Sequence, residues 1–231
     1  LRQLEKDTFD HATRLFKPSP AYRLHGKNSE EPGNRGRNPA NGVVLYYWLK
    51  QALPDDASIQ LRITDADDDV IRTFTRKPEE DVRDEKPPLG DDDRVLTAGE
   101  GLNRFEWNMR YPAVEKFEKI VLWNDSLEGP KAVPGRYTAT LEVNGDSQSV
   151  DIEILPDPRV DASAADLQAQ FDFVWGINRK LTEAHRAISK IRKIRSQVAS
   201  IEERAGDEQR YRELAESAAR LQEGLTAVEE T

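Results

Sequence analysis

Carboxylates dominate the reactive side chains of this sequence, with 43 Asp and Glu among 231 residues against three His and no Cys. Glycoside hydrolysis needs two carboxyl groups about 5 to 10 Å apart in a cleft, and Glu106, beside Trp107, is the most suggestive single position. Neighbouring side chains on a strand point to opposite faces. If Trp107 faces a core, Glu106 faces solvent, which disfavours catalysis by it. The acidic turn Asp65, Asp67, Asp68 and Asp69 and the run Asp91, Asp92, Asp93 offer oxygens to calcium, with Asp65, Asp67 and Asp69 the better candidates. Calcium takes about six to eight oxygens from a tight loop. Neither stretch has the full loop spacing with its glycine and terminal glutamate, so a solvated turn is the favoured reading and no metal or cofactor is assigned.

His11, His25 and His185 are far apart and have no motif around them, so neither a metal site nor a Ser-His-Asp arrangement is supported. The lack of cysteine excludes disulfides, thiolate zinc sites and a cysteine nucleophile. Aromatic residues cluster at Tyr46, Tyr47 and Trp48, with Trp107 and Tyr137 later. They suit either a sugar-stacking platform, with Tyr47, Trp48 and Trp107 as its candidate ligand-binding members, or the core of a sheet; the core reading is favoured. Lys190, Arg192, Lys193 and Arg195 make a local basic stripe. Glu203, Glu208 and Glu213 stand near enough to pair with it, which is a simpler account than nucleic acid. A net charge of -9 and a pI near 5.1 also argue against nucleic acid and anionic membranes.

These residues must be held by two kinds of element. From residue 42 to 158 the pattern is that of short strands. Residues 42–53 are β-branched and aromatic between Asn41-Gly42 and Pro54, Ile59, Leu61 and Ile63 alternate with polar residues, and residues 70–75 follow the acidic turn as a hairpin partner. Leu102, Phe105 and Trp107 anchor another strand. Tyr137, Ala139, Leu141 and Val143 alternate up to Asn144-Gly145, a strong hairpin turn, after which Val150, Ile152 and Ile154 continue. Six or seven such strands predict an immunoglobulin-like β-sandwich. Residues 1–41 read as a lead-in from an upstream domain, with a possible edge strand before a loop from Gly26 to Asn41. Residues 77–94 and 112–133 read as irregular excursions, the second carrying Ile120, Val121, Leu122 and Trp123.

From residue 159 to 231 the period changes to that of helices. Ser163 and Asp166 have capping-box spacing and open a long apolar stripe that includes Leu167, Phe171, Val174, Leu181, Ile188, Ile191 and Val198. Gly206-Asp207 breaks it. Tyr211, Leu214, Ala218, Leu221, Leu225 and Val228 then form a heptad seam, coiled-coil in character, with Tyr211, Leu214, Leu221 and Leu225 as candidate interaction residues. The expectation is a long antiparallel helical hairpin. Phe171, Val174 and Trp175 lie beyond the shorter helix and need another partner, for which the sandwich is the candidate.

Four segments, in order, carry a resemblance: residues 38–42 (NPANG), 101–111 (GLNRFEWNMRY), 133–137 (VPGRY) and 157–159 (DPR). They resemble the C-terminal region of large exported bacterial proteins whose N-terminal part is a sortilin-like, BNR-repeat β-propeller, and the middle two also resemble the immunoglobulin-like domain of the flagellar hook-capping protein. Trp107-Asn108 stands where that pattern usually has Trp-Asp, which removes a possible charge or cation contact there. The resemblance implies a non-catalytic accessory module, extracellular or periplasmic, partnered by the upstream β-propeller of the same polypeptide. A start at Leu1 with Met109 as the only methionine fits a C-terminal part of a longer protein. The alternative is a carbohydrate-binding accessory domain. Docking of a protein partner or self-association through the hairpin is expected; nucleic acid and membrane insertion are not.

Overall fold

A computed structural model describes residues 3, 6–24, 40–76, 94–117, 120, 127–205 and 212–229. The expected loop at 26–39, the excursion at 77–93, the group Val121 to Trp123, the break at Gly206-Asp207, and the positions His25, Asp91 to Asp93, Glu208 and Tyr211 lie outside these residues. The chain forms two compact units, Leu1–Ala113 with Leu127–Trp175, and Val114–Ser126 with Gly176–Thr231.

The first unit holds two sheets. One has the order β1-β3-β6, from strands Thr13–Phe16, Val43–Leu49 and Gly101–Trp107, all antiparallel. The other has the order β2-β8-β7-β4-β5, from Ala21–Tyr22, Asp146–Leu155, Gly135–Val143, Ile59–Thr64 and Val70–Thr75, with β2 parallel to β8. The predicted alternation appears as alternating burial: Val43, Leu45, Tyr47 and Leu49 point inward from β3, and Ile59, Leu61 and Ile63 from β4. One hydrophobic core draws on the inner faces of both sheets, including Phe105 and Trp107 from β6, Leu141 from β7 and Ile152 from β8. The segment read as a lead-in contributes β1 and β2 to these sheets. The hairpin β7-β8 turns at Asn144 and Gly145, both at positive φ, as the Asn-Gly pair predicts.

Two of the resemblance-bearing segments, 101–111 and 133–137, meet at one corner of this unit. Trp107 donates through Nε1 to the Arg110 carbonyl at 3.2 Å, and its ring packs edge-on to Tyr137, 5.7 Å between centroids. Asn108 accepts the Arg110 N–H at 3.0 Å, so the amide performs the turn-forming role that an aspartate would have. Met109 takes a positive φ, and its carbonyl accepts the Ala132 N–H. Tyr137 donates to the Val133 carbonyl, four residues upstream, at 2.7 Å. Gly129 is needed for close approach: a Cβ there would stand 2.1 Å from the Tyr111 carbonyl oxygen.

Helix α1, Ala164–Ala205, starts at the predicted capping box. The Asp166 N–H donates to Ser163 Oγ, while the Ser163 N–H and hydroxyl both donate to the Asp166 carboxylate. In the first unit, Phe171 and Trp175 pack against Tyr111, at 4.7 and 5.3 Å, which supplies the partner these side chains required. Burial, with the nearby Asp65 and Asp69 carboxylates, pushes the Tyr111 hydroxyl up to about 12. In the second unit, Glu115 pairs with Arg186, Phe117 lies between His185 and Arg192, and α2, Arg212–Glu229, meets α1 through an Arg195 to Thr226 hydrogen bond. Arg186 holds the Glu115 carboxyl below its ordinary range. Of the basic stripe, Arg192 lies over the Phe117 ring and Arg195 donates to Thr226.

Tyr137→Phe leaves the half-buried Val133 carbonyl without its partner and should cost about 1–2 kcal/mol in urea unfolding, and Gly129→Ala about 1–3 kcal/mol through overpacking. Unchanged midpoints for both would show that the corner contributes nothing.

Candidate functional site

Because successive strand residues alternate in direction, the face of β1-β3-β6 turned away from the core is set by the same register that builds it. It presents Phe16, Val44, Tyr46, Trp48, Leu102, Arg104 and Glu106, with Tyr46 directly opposite both Phe16 and Arg104. The chain leaving β1 runs through Pro18 and Pro20 to β2 and walls one side of this face. The result is a groove of about 710 Å³ whose lining includes Phe16, Pro20, Tyr22, Tyr46, Leu102 and Arg104.

Two side-chain amides hold that wall. Gln148 accepts the Leu15 N–H and donates to the Thr13 carbonyl, each at 2.9 Å. Gln3 accepts the Lys17 N–H and donates to the Lys17 carbonyl. Both imitate a neighbouring strand and use up backbone groups at the free edge of β1. Inside the groove Arg104 donates to Glu106 at 2.8 Å, with Tyr46 beside it as its register partner on β3. The bond to Glu106 is the first cause holding the guanidinium above its ordinary range. Lys17 pairs with Asp151 at 3.3 Å.

The sugar-stacking platform, the less favoured reading of these aromatics, is not assembled. Tyr47 and Trp107 are wholly buried; Tyr47 donates to the Thr97 carbonyl, and burial raises its hydroxyl above the usual range. Only Trp48 of the three lies on the outer face, where Phe9 packs edge-on to its ring at 5.0 Å. A ligand-binding role for Tyr47 and Trp107 gives way to a packing role, since neither offers surface to a sugar. Glu106 points outward as parity demands and is occupied by Arg104. The groove residues Tyr22, Tyr46, Leu102 and Arg104 were absent from the candidate ligand set, although the parity of β3 and β6 already separates Tyr46 from Tyr47.

In the acidic turn, one Asp65 carboxylate oxygen accepts the N–H groups of Asp67 and Asp69, at 3.1 and 2.9 Å, and Asp68 takes a positive φ. Asp65 is thus the acceptor that shapes the turn, and Asp67 and Asp69 are held by their backbones. Among the described residues no group of three His, Cys, Asp or Glu side chains could hold a metal ion. His11 stands 3.9 Å from Asp7, and His185 Nδ1 donates to the Glu115 carbonyl. On α2, Ala218 is buried, Leu225 half-buried and Leu221 47% exposed; the side chains of Tyr211 and Leu214 lie outside the described residues. No helix is long and apolar enough to cross a membrane, among the described residues. No family model, curated protein or solved structure matches the chain.

Removing the shaping acceptor with Asp65→Ala should lower stability by about 1 kcal/mol, and Asp67→Ala should change it by less than about 0.5 kcal/mol. Millimolar calcium should leave the melting midpoint where it is. A calcium-dependent rise, abolished by Asp67→Ala, would instead make this turn a metal site.

Proposed function

We infer that the chain is a non-catalytic accessory module at the C-terminus of a larger exported β-propeller protein, where it supports domain packing or docks a protein partner. On this reading the two sheets form an immunoglobulin-like sandwich. The Tyr137 bond back to the Val133 carbonyl supports that, because such a tyrosine corner is a recurring device of these sandwiches. The two helices form an antiparallel hairpin, supported by the Arg195 to Thr226 hydrogen bond and by the buried Val198 and Ala218.

The observation that carries the docking role is an open apolar row in the second unit. Ile177 and Leu181 stand one helical turn apart on α1, 46% and 39% exposed, and Ala184 and Ile188 continue the same face. Leu221 adds an exposed apolar side chain on α2. Single exposed leucines are ordinary, but a row at helical spacing suits a hydrophobic partner surface.

Sedimentation of the 231-residue chain with the separately produced upstream part of its polypeptide tests this reading. Association is expected, with Leu181→Asp weakening it about tenfold or more while circular dichroism stays unchanged. Absence of association, or association indifferent to Leu181→Asp and Ile177→Asp, would contradict docking through this face.

A further inference from the structure

We propose that the groove on the outer face of β1-β3-β6 binds neutral carbohydrate. This goes beyond the accessory role and does not depend on it. The groove's volume lies in the range of small-ligand sites. Its open surfaces are the rings of Tyr22 and Tyr46 and the side chain of Leu102, which are 49%, 40% and 49% exposed. Rings of this kind stack on flat apolar faces while their hydroxyls reach hydrogen-bond partners.

The charges in and beside the groove decide among ligand classes. Arg104 is compensated by Glu106 and Lys17 by Asp151, so an anionic ligand meets cations already paired and carboxylates that repel it. A wholly apolar ligand would strip water from the remaining Arg104 donors and the tyrosine hydroxyls without replacing it. An extended peptide adding a strand to β1 would need edge groups that Gln148 and Gln3 already occupy. A pyranose chain has what is left: apolar C–H faces for Tyr22 and Tyr46, and hydroxyls for the free N–H groups of Arg104. Arg104 is held by Glu106 beside its register partner Tyr46, so less freedom is lost when it engages a ligand.

The test is a glycan array of neutral and acidic polysaccharides, followed by calorimetry of the 231-residue chain with maltohexaose, cellohexaose, xylohexaose and chitohexaose at about 0.15 M and about 1 M sodium chloride. At least one neutral glycan should bind with an affinity that salt leaves unchanged. Tyr46→Ala and Arg104→Ala should each weaken it about tenfold, equivalent to about 1.4 kcal/mol, with melting midpoints within a few degrees of the parent. Leu102→Arg, which fills the groove from an exposed position, serves as a second probe should Tyr46→Ala fold poorly. The proposal is overturned by no neutral glycan binding, by binding that all three substitutions leave intact, or by a preference for acidic polysaccharide that falls with salt. Absence of neutral glycan binding together with capture of a proline-rich peptide that Tyr46→Ala abolishes would replace carbohydrate with peptide as the ligand.

Discussion

Three cations gathered at one corner of the sheet unit tie together segments that are distant in sequence. Arg23 donates to the Ala132 carbonyl at 3.0 Å, Lys131 to the Leu24 carbonyl at 3.0 Å and to the Asn41 side chain at 3.3 Å, and Arg110 to the Gly129 carbonyl at 2.7 Å. Burial, then mutual repulsion, pulls the Lys131 ammonium below its usual range, and burial likewise lowers Arg23. Charges so placed are tolerated only when their donors are satisfied, and here backbone carbonyls, Asn41 and the nearby Glu128 do so. The consequence is that β2, the entry to β3, the exit from β6 and the approach to β7 are fixed to one another. The walls of the groove inherit that rigidity, because the segment from Pro18 to Leu24 is anchored at its far end by Arg23 and Lys131.

Much of this architecture was legible in the residues. Alternation at Ile59, Leu61 and Ile63 and at Tyr137, Ala139, Leu141 and Val143 marks strands because a half-buried strand has to repeat every two residues. Ser163 and Asp166 mark the start of α1 because only a helix end leaves N–H groups for such a pair to satisfy. The two-residue period also carries a consequence that composition conceals: Tyr47 and Trp48 are neighbours on one strand and cannot share a face. The aromatic platform was therefore divided by the backbone, with Tyr47 in the core and Trp48 outside.

Other features were not legible, for physical reasons. Thr13–Phe16 is too short to display a period, and its strand character comes from pairing with β3 and from the Gln148 amide, which is more than a hundred residues away. Arg23 and Lys131 look like surface cations by type, and it is acceptors from remote segments, the Ala132 and Leu24 carbonyls with the Gln170 and Asn41 side chains, that make their burial tolerable. The groove depends on the path of the chain between β1 and β2, which Pro18 and Pro20 stiffen but do not direct. The same topology underlies the role proposed for the groove: the inner sheet faces are committed to the core, leaving the outer face of the small sheet for a ligand.

The claim on which the rest stands is that the corner is as cooperative as the core, and amide hydrogen exchange tests it most directly. The Ala132 N–H bonded to the Met109 carbonyl and the Tyr111 N–H bonded to the Pro130 carbonyl should exchange only when the sheet unit unfolds globally, with the same free energy as the amides of β4 and β7. Exchange of either amide through a local opening, with β4 and β7 still protected, would contradict it.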